Sequence, residues 1–492
     1  MTDTQASQAA AAPVFHGSFC APEARKYVLA AAILASALGF IDSFIVSIAL
    51  PAMRVSLDAS LIEGQWFHNA YMLTLAALIL VGGALGDRFG LARAFGAGIA
   101  FFVAASIVCA MAPNAEVMIG ARLLQGAGAA VLVPGSLAII ARAYPPDERG
   151  RAIGVWAAAS ALTTALGPIL GGMLLTFGGA ETWRVVFAIN LPLGALAIWM
   201  LWAKVGRDSA QAGAALDLPG AVLAAAALLA LAWGLTALGH GGGSALVWLI
   251  AGGALIAAFF WVESRSAHPM MPLTLFAPPV FSATNVMSFT LYAALGMMFF
   301  FMPMTLIAGW GLSEIEASAP FAPMSVFIAL LSSRVGALAD RIGPGLPLVA
   351  GSLLTGAGYL TIGLLAPAQN LWGHILPAMC LVGIGMAMVV APLSSAVMGA
   401  VREDQSGIAS GVNNAVTRMA SLMSVAAIGG LVSLIYARAG GSASFGVPSE
   451  TAGHVAAMNA GFAGVAFVSA GLCALTALIG AVFVWGQPGK TG

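Results

Sequence analysis

Uninterrupted apolar runs of about 20 residues recur from one end of this 492-residue chain to the other, separated by short polar connectors. One α-helix needs about 20 such residues to cross the hydrocarbon of a bilayer. In lipid every backbone N–H and C=O must find an internal partner, so only helices and closed barrels can span. Barrel strands alternate apolar and polar residues over roughly 10-residue segments, and these runs do not alternate. They read as membrane helices. Composition agrees: 60% of residues are hydrophobic and 8% charged, where a soluble domain carries about a quarter charged. A chain this apolar could not cover its surface in water.

Many of the 60 glycines lie inside the apolar runs, where small residues let helices approach closely. Cys20, Cys109, Cys380 and Cys473 are far apart and form no CxxC pair, so neither a metal site nor a disulfide framework is expected. The formal net charge of +0 points to no nucleic-acid partner. Residues 1–22 are Ala-, Gln- and Ser-rich and are expected to form a disordered tail. The first run follows Arg25 and Lys26 at full spanning length, so it is expected to be a retained anchor and not a cleaved signal peptide.

The pattern predicts fourteen spans, near 27–50, 65–85, 95–112, 117–141, 152–177, 185–203, 219–238, 245–262, 283–308, 319–338, 346–366, 374–397, 407–436 and 456–485. An even number places both termini on one side. Cytoplasmic connectors carry the excess of Lys and Arg. With the N-terminus cytoplasmic, only Arg54, Arg184 and Arg438 of the nineteen fall outside, and Arg122 and Arg418 fall within spans; the other fourteen are cytoplasmic. One missed span would scramble that asymmetry.

The chain also repeats. Gly83–Gly90 reads GALGDRFG and Gly336–Gly343 reads GALADRIG, 253 residues on. At an offset of 257, Gly126 and Gly128 align with Gly383 and Gly385, Asp147 with Asp404, Gly150 with Gly407 and Gly154 with Gly411. Two six-helix halves in one orientation are expected, at 23–207 and 269–486, with two helices inserted between them at 208–268 and a cytoplasmic tail at 487–492. Parallel half-repeats are characteristic of transporters, with the substrate site between the halves near the midplane.

These motifs resemble the major facilitator superfamily. GxLxDRxG after the second span (Gly83, Leu85, Asp87, Arg88, Gly90) is its best-known signature; Arg93 fits the basic tail, while Leu91 and Ala92 depart from it. The fourth span carries RLLQGAGAA from Arg122, and the fifth carries GPILGG from Gly167 to Gly172. These are similar to the arginine motif of proton-coupled members and to the antiporter motif of drug exporters. IDSFIVSIALP from Ile41, WRVVFAINLPLG from Trp183 and GIASGVNNAVTR from Gly407 complete the set. Together they resemble the fourteen-helix drug:proton antiporter family over nearly the whole chain. The resemblance implies an all-α membrane protein of the major-facilitator fold. It also implies a latch between the halves, built from Gly83, Asp87, Arg88, Gly90 and Arg93 with Asp340 and Arg341. Gly167, Pro168, Gly171 and Gly172 are expected to bend the fifth helix and to permit close packing.

A charge in a bilayer costs at least about 2.5–3.5 kcal/mol, so those that remain are functional candidates. The predicted spans hold one carboxylate, Asp42, and two arginines, Arg122 and Arg418. Asp42 and Arg122 fall about 12 and 8 Å from the outer end of their helices, at similar depth. Burial favours the neutral carboxyl and a facing guanidinium favours the carboxylate. A carboxylate held between those tendencies can exchange a proton as access alternates, so Asp42 is the candidate proton carrier and Arg122 its tuner; a static pair is the alternative. Arg418 lies roughly 16 Å into its helix, near the midplane. Asn414 and Asn413 are about one turn back. Either a carbonyl and amide network satisfies Arg418, or an acidic group on the substrate does. With Asp42 the only membrane acid, a multivalent cationic substrate is disfavoured. Met304, in the FFMPM stretch from Phe300, is a candidate cavity wall, although such stripes are more often plain packing. His68 could titrate or could be an interfacial side chain. The inserted pair of helices is expected to be a peripheral, lipid-facing hairpin.

The expected function is proton-coupled export of small amphipathic compounds by alternating access, without a cofactor or metal. The partners are the substrate, protons and the lipid bilayer, and a monomer suffices because the halves supply the interface. Alternatives are a narrow exporter of one metabolite, lipid or antibiotic, an importer, or a receptor without transport. An enzyme is not expected, since no nucleophile–base pair, metal-spacing cluster or phosphate loop occurs.

Overall fold

A computed structural model describes residues 19–205, 217–239, 241–402 and 405–486. The expected disordered tail lies almost wholly outside the described residues, and the 487–492 tail, His240 and the connector 206–216 lie wholly outside them. Helices succeed one another through the chain: α1 (Arg25–Ser56), α2 (Leu61–Phe89), α3 (Leu91–Ala110), α4 (Ala115–Ala143), α5 (Pro146–Gly178), α6 (Trp183–Ala203), α7 (Leu218–Gly239), α8 (Ala245–Arg265), α9 (Pro279–Gly309), α10 (Glu314–Ile342), α11 (Gly345–Ala368), α12 (Leu371–Gly399), α13 (Ser406–Arg438) and α14 (His454–Phe483). Each predicted span falls on one of them, overrunning only at the ends of α3 and α14 by two residues. Most helices run past the apolar stretch, and some of their ends are capped by side chains. Ser60 and Glu63 form a capping box at the start of α2, and Ser313 and Glu316 another before α10.

Twelve helices among the described residues are long and apolar enough to cross a membrane. In α1 and α5, which contain residues whose side chains are not described, the apolar stretches Ile45–Ser56 and Leu166–Gly178 are shorter.

The repeat is visible in packing. In the first half α1 packs on α5 and α6, α2 on α4, and α3 on α4 and α6; in the second, α9 packs on α13 and α14, α10 on α12, and α11 on α12 and α14. The paired glycines explain the match. A Cβ on Gly126 would collide with the Tyr71 backbone of α2, and one on Gly128 would stand 2.9 Å from Phe102 Cα of α3. In the second half a Cβ on Gly383 would stand 2.9 Å from Met324 Cα of α10, and one on Gly385 2.6 Å from the Gly351 carbonyl of α11. Both copies of the loop motif end a helix on a glycine of positive φ, +93° at Gly90 and +86° at Gly343, where an L side chain is strained.

Helices α2 and α13, and α5 and α10, join the two halves. The inserted hairpin corrects an expectation. Only α8 stands clear, with Leu246, Val247 and Ile250 exposed. Helix α7 lies in the seam, against both α2 and α13. Gly239 meets Gly430 so closely that a Cβ there would stand 2.6 Å from Gly430 Cα, and Trp233 leans on Trp66 of α2, the ring centroids 5.4 Å apart and the planes tilted by 43°.

Candidate functional site

In the first half the structure joins the polar residues of α1, α3, α4 and α6. Asn114 caps α4 by accepting the Val117 N–H, which sets where Arg122 and Gln125 emerge. They are three residues apart and share a helix face. Arg122 Nη1 donates to Asp42 Oδ2 at 2.5 Å and to Gln125 Oε1 at 2.6 Å, while Arg122 Nε donates to the Phe67 carbonyl at 2.8 Å. Gln125 Nε2 donates to Asp42 Oδ1 at 2.9 Å and to Ser106 Oγ at 2.9 Å, and Asn190 Nδ2 donates to Ser106 Oγ at 3.2 Å. The guanidinium also lies 4.4 Å from the Tyr71 ring centroid. Asp42 and Arg122 are each 1% exposed, so the pair has no contact with solvent in this conformation. Both carboxylate oxygens are satisfied. Depth along the helices anticipated Asp42 with Arg122. It did not anticipate Gln125, Ser106 or Asn190, although Gln125 follows Arg122 by one helical turn.

The second half is arranged differently. Asn413 Nδ2 donates to Asn285 Oδ1 at 3.1 Å and to Ser288 Oγ at 2.7 Å, and Asn414 Nδ2 donates to the Ser410 carbonyl at 3.1 Å. Neither amide serves Arg418, so the amide network considered from the sequence does not form around it. Arg418 is half-buried and makes no hydrogen bond or ion pair among the described residues; its Nε is buried without a partner. Met304 is a correction. It is fully buried and its sulfur packs on Gly446, so it belongs to a closed end of the molecule and not to a cavity wall. Phe300 and Phe301 are buried with it because α9 is enclosed by its neighbours there.

That closed end ties the halves together. Arg54, at the end of α1, is 1% exposed; it donates to the Phe445 carbonyl at 2.6 Å, to Ser444 Oγ at 2.9 Å and to the Ala59 carbonyl at 3.3 Å. Gln65 Nε2 donates to the Val425 carbonyl at 2.5 Å. His68 Nε2 pairs with Ser421 Oγ at 3.1 Å, so this histidine sits in the seam and not at the lipid interface. On the other side of the bundle, Thr176 Oγ1 accepts the Ile315 N–H at 3.1 Å. The glycines of the fifth-helix motif make that approach possible. A Cβ on Gly172 would stand 2.7 Å from the Glu314 carbonyl of α10, and one on Gly171 2.8 Å from Ile45 of α1. Gly167 and Pro168 are buried beside them, and α5 runs unbroken through Pro168.

The opposite end is open between elements. A cavity of ≈ 940 Å³ is lined there by Leu80 and Gly83 of α2, Pro134 and Ala138 of α4, and Gly407 and Gly411 of α13, with Asp217 and His268 at its edge. The side chain of Asp87 lies outside the description. Arg88, Arg93, Asp340 and Arg341 are exposed, and no salt bridge among the described residues joins them. Sequence reading also missed the carboxyl pair of the inserted helices. Glu263 is buried and accepts the Met271 N–H at 2.9 Å, and its carboxyl meets that of Asp217 beside Gly220.

The family model of the Major Facilitator Superfamily matches residues 32–425. The chain belongs to the major facilitator superfamily. It is 32% identical over 409 residues to the tetracenomycin C resistance and export protein of Streptomyces glaucescens, covering 81% of this chain and 75% of that one. It is 31% identical over 408 residues to the multidrug resistance protein Stp of Mycobacterium tuberculosis, with coverage of 81% and 75%. With the lincomycin resistance protein of Streptomyces lincolnensis it shares 33% identity over 392 residues, 78% of this chain and 80% of that one. Its fold is similar to a bacterial homologue of the human lysosomal transporter Spinster in an inward-facing, occupied conformation (TM-score 0.67, 15% identity, 94% and 97% of the two chains). It is also similar to a D-xylose–proton symporter (TM-score 0.65, 15% identity, 95% and 98%). This superfamily member is an integral, multi-pass membrane transporter, not an enzyme.

Proposed function

We propose that the protein is a proton-coupled antiporter that exports small amphipathic compounds by alternating access. The observation that carries the reading is the occluded network of Asp42, Arg122 and Gln125, a single membrane carboxylate whose two oxygens are both held. Export is supported by the relatives, whose names are those of resistance and export proteins. All fourteen helices cross the membrane, with both termini cytoplasmic. The chain divides into halves at 23–207 and 269–486 around the insert at 208–268, and it works as a monomer. The Arg54 end is then the outer face, closed here, and the ≈ 940 Å³ cavity opens inward.

In this mechanism Asp42 is held by Arg122 and Gln125 in the conformation seen here. When the outer seal opens, a proton can take Asp42 out of the pair; the reverse transition restores it. Arg418, Asn413 and Asn414 face the substrate. Asp87, Arg88 and Arg93 with Gly83 and Gly90, together with Asp340 and Arg341, latch the cytoplasmic ends in the opposite conformation; the exposure of Arg88, Arg93, Asp340 and Arg341 here supports that reading. Gly167, Pro168, Gly171 and Gly172 let α5 and α10 close the outer end.

The test is proton release from purified, reconstituted protein on adding candidate compounds, wild type against Asp42→Asn. Release in wild type that is lost in the variant supports the proposal. Substrate export by the variant at the wild-type rate, still driven by the proton gradient, would remove Asp42 as carrier. A narrower reading, export of one antibiotic, is favoured by relatives named for single compounds, tetracenomycin C and lincomycin. A panel of toxic compounds separates the two.

A further inference from the structure

We infer that Arg418 is a recognition site for an anionic group, and that the preferred substrates are amphipathic organic anions such as carboxylates or sulfonates. The inference rests on the proposed export function and names its substrate class.

Charge counting comes first. The mid-membrane parts of the described helices hold Asp42, Arg122 and Arg418. Asp42 is consumed by Arg122 at 2.5 Å, and that pair is neutral. Arg418 remains as an uncompensated cation. Protein structures keep a charge at this depth only when it is paired or serves a pathway. Intramolecular compensation fails by geometry. Asn413 and Asn414, on the same helix, donate elsewhere, and Arg418 Nε is buried with no acceptor. The remaining acids of the described helices lie near helix ends, as with Glu63, Glu116 and Glu314.

Accessibility comes second. Gly407 and Gly411 line the inward cavity. Arg418 lies seven residues beyond Gly411, two turns and about 10 Å deeper on the same helix face. It is half-buried, unlike Arg122. Three residues on, Ser421 bonds to His68 of α2 at 3.1 Å, and α13 also packs on α9, so this stretch of α13 stands between the halves where a substrate must pass. A guanidinium offers parallel N–H donors that match a carboxylate or sulfonate. The apolar residues that line the cavity below it, Leu80, Ala138 and Ile408 among them, suit the rest of an amphipath. A cationic amphipath would add a second positive charge to the same low-dielectric space.

The full chain, reconstituted in phosphatidylcholine vesicles, provides the test. The anionic fluorophore 8-anilinonaphthalene-1-sulfonate and the cationic rhodamine 6G serve as probes. Wild type should bind the anion saturably, with displacement by dodecanoate but not by dodecylamine. Arg418→Gln should weaken anion binding at least about tenfold, and Arg418→Lys should retain part of it. Displacement by dodecylamine instead of dodecanoate would overturn the inference, and so would displacement only by phosphatidylglycerol, which marks a lipid site. No saturable anion binding, or anion binding unchanged in Arg418→Gln, would overturn it as well. The displacement series uses wild type alone and decides the question even if the variants do not fold. Gradient-driven efflux of rhodamine 6G and not of the anion would leave the export reading standing and remove this one. Anion binding at Arg418 without gradient-driven efflux would do the reverse.

Discussion

The two halves pack alike and differ in their polar chemistry. In both, a pair of glycines one residue apart presses the fourth helix of the half on the second and third, at Gly126 and Gly128 and again at Gly383 and Gly385. In both, a glycine of positive φ ends the second helix. The first half then closes its charges on themselves, with Asp42, Arg122, Gln125, Ser106 and Asn190 bonded in one buried network. The second half leaves Arg418 Nε buried without a partner among the described residues. The backbone repeat thus supplies two similar frames, and substitution within them leaves a closed ion pair in one half and a half-buried arginine in the other; under the proposed function, the first half serves the proton and the second the ligand.

That division is breakable by mutation. The largest effect belongs to Asp42→Asn. It keeps the shape of the side chain, removes the titrating group and should abolish substrate-triggered proton release while leaving anion binding at Arg418. Loss of both would mean that the halves do not divide the work. Gln125→Ala comes next. It strips a donor from Asp42 and an acceptor from Arg122 in a fully buried site, and should cost about 2–4 kcal/mol by thermal unfolding. Asn413→Ala, at a half-buried position, should cost visibly less. Arg54→Ala tests the closed end. It leaves the Phe445 carbonyl without its donor and should weaken the seal by about 1–2 kcal/mol. The readout is a wider separation of spin labels at positions 55 and 450. An unchanged separation would show that α5 and α10 hold the closed end alone. The smallest effect, and the one that should be equal in the two halves, is Gly90→Ala against Gly343→Ala. Each forces a Cβ into a positive-φ conformation, for about 1–2 kcal/mol. A marked inequality would show that the two motif copies carry different loads.

Much of this site was legible before the structure, for physical reasons that differ by residue. Asp42 and Arg122 stand out because a charge in an apolar run is costly, and rise per residue places them at one depth. Gln125 was legible in principle through its three-residue spacing from Arg122. Ser106 and Asn190 were not, because a lone hydroxyl or amide in a membrane helix has many possible partners. Met304 misled because an apolar side chain suits a cavity wall and a closed core equally well. Helix α7 misled because its close contact depends on Gly430, nearly 200 residues away in sequence.

The amino-acid sequence by itself determined the all-helical membrane class, the positions of the helices, the repeat and the candidate pair. Those follow from local rules: the length of apolar run that lipid demands, the cost of a charge within it, and the glycines that close contacts and positive φ require. Tertiary structure alone decided which polar groups are satisfied and which end is shut. Arg54 meets Phe445 across 391 residues of sequence, and Gln65 meets Val425 across 360. Hydrogen bonds are short and directional, so a shift of an ångström decides whether a donor finds its acceptor. Sequence position does not encode that distance between two packed halves.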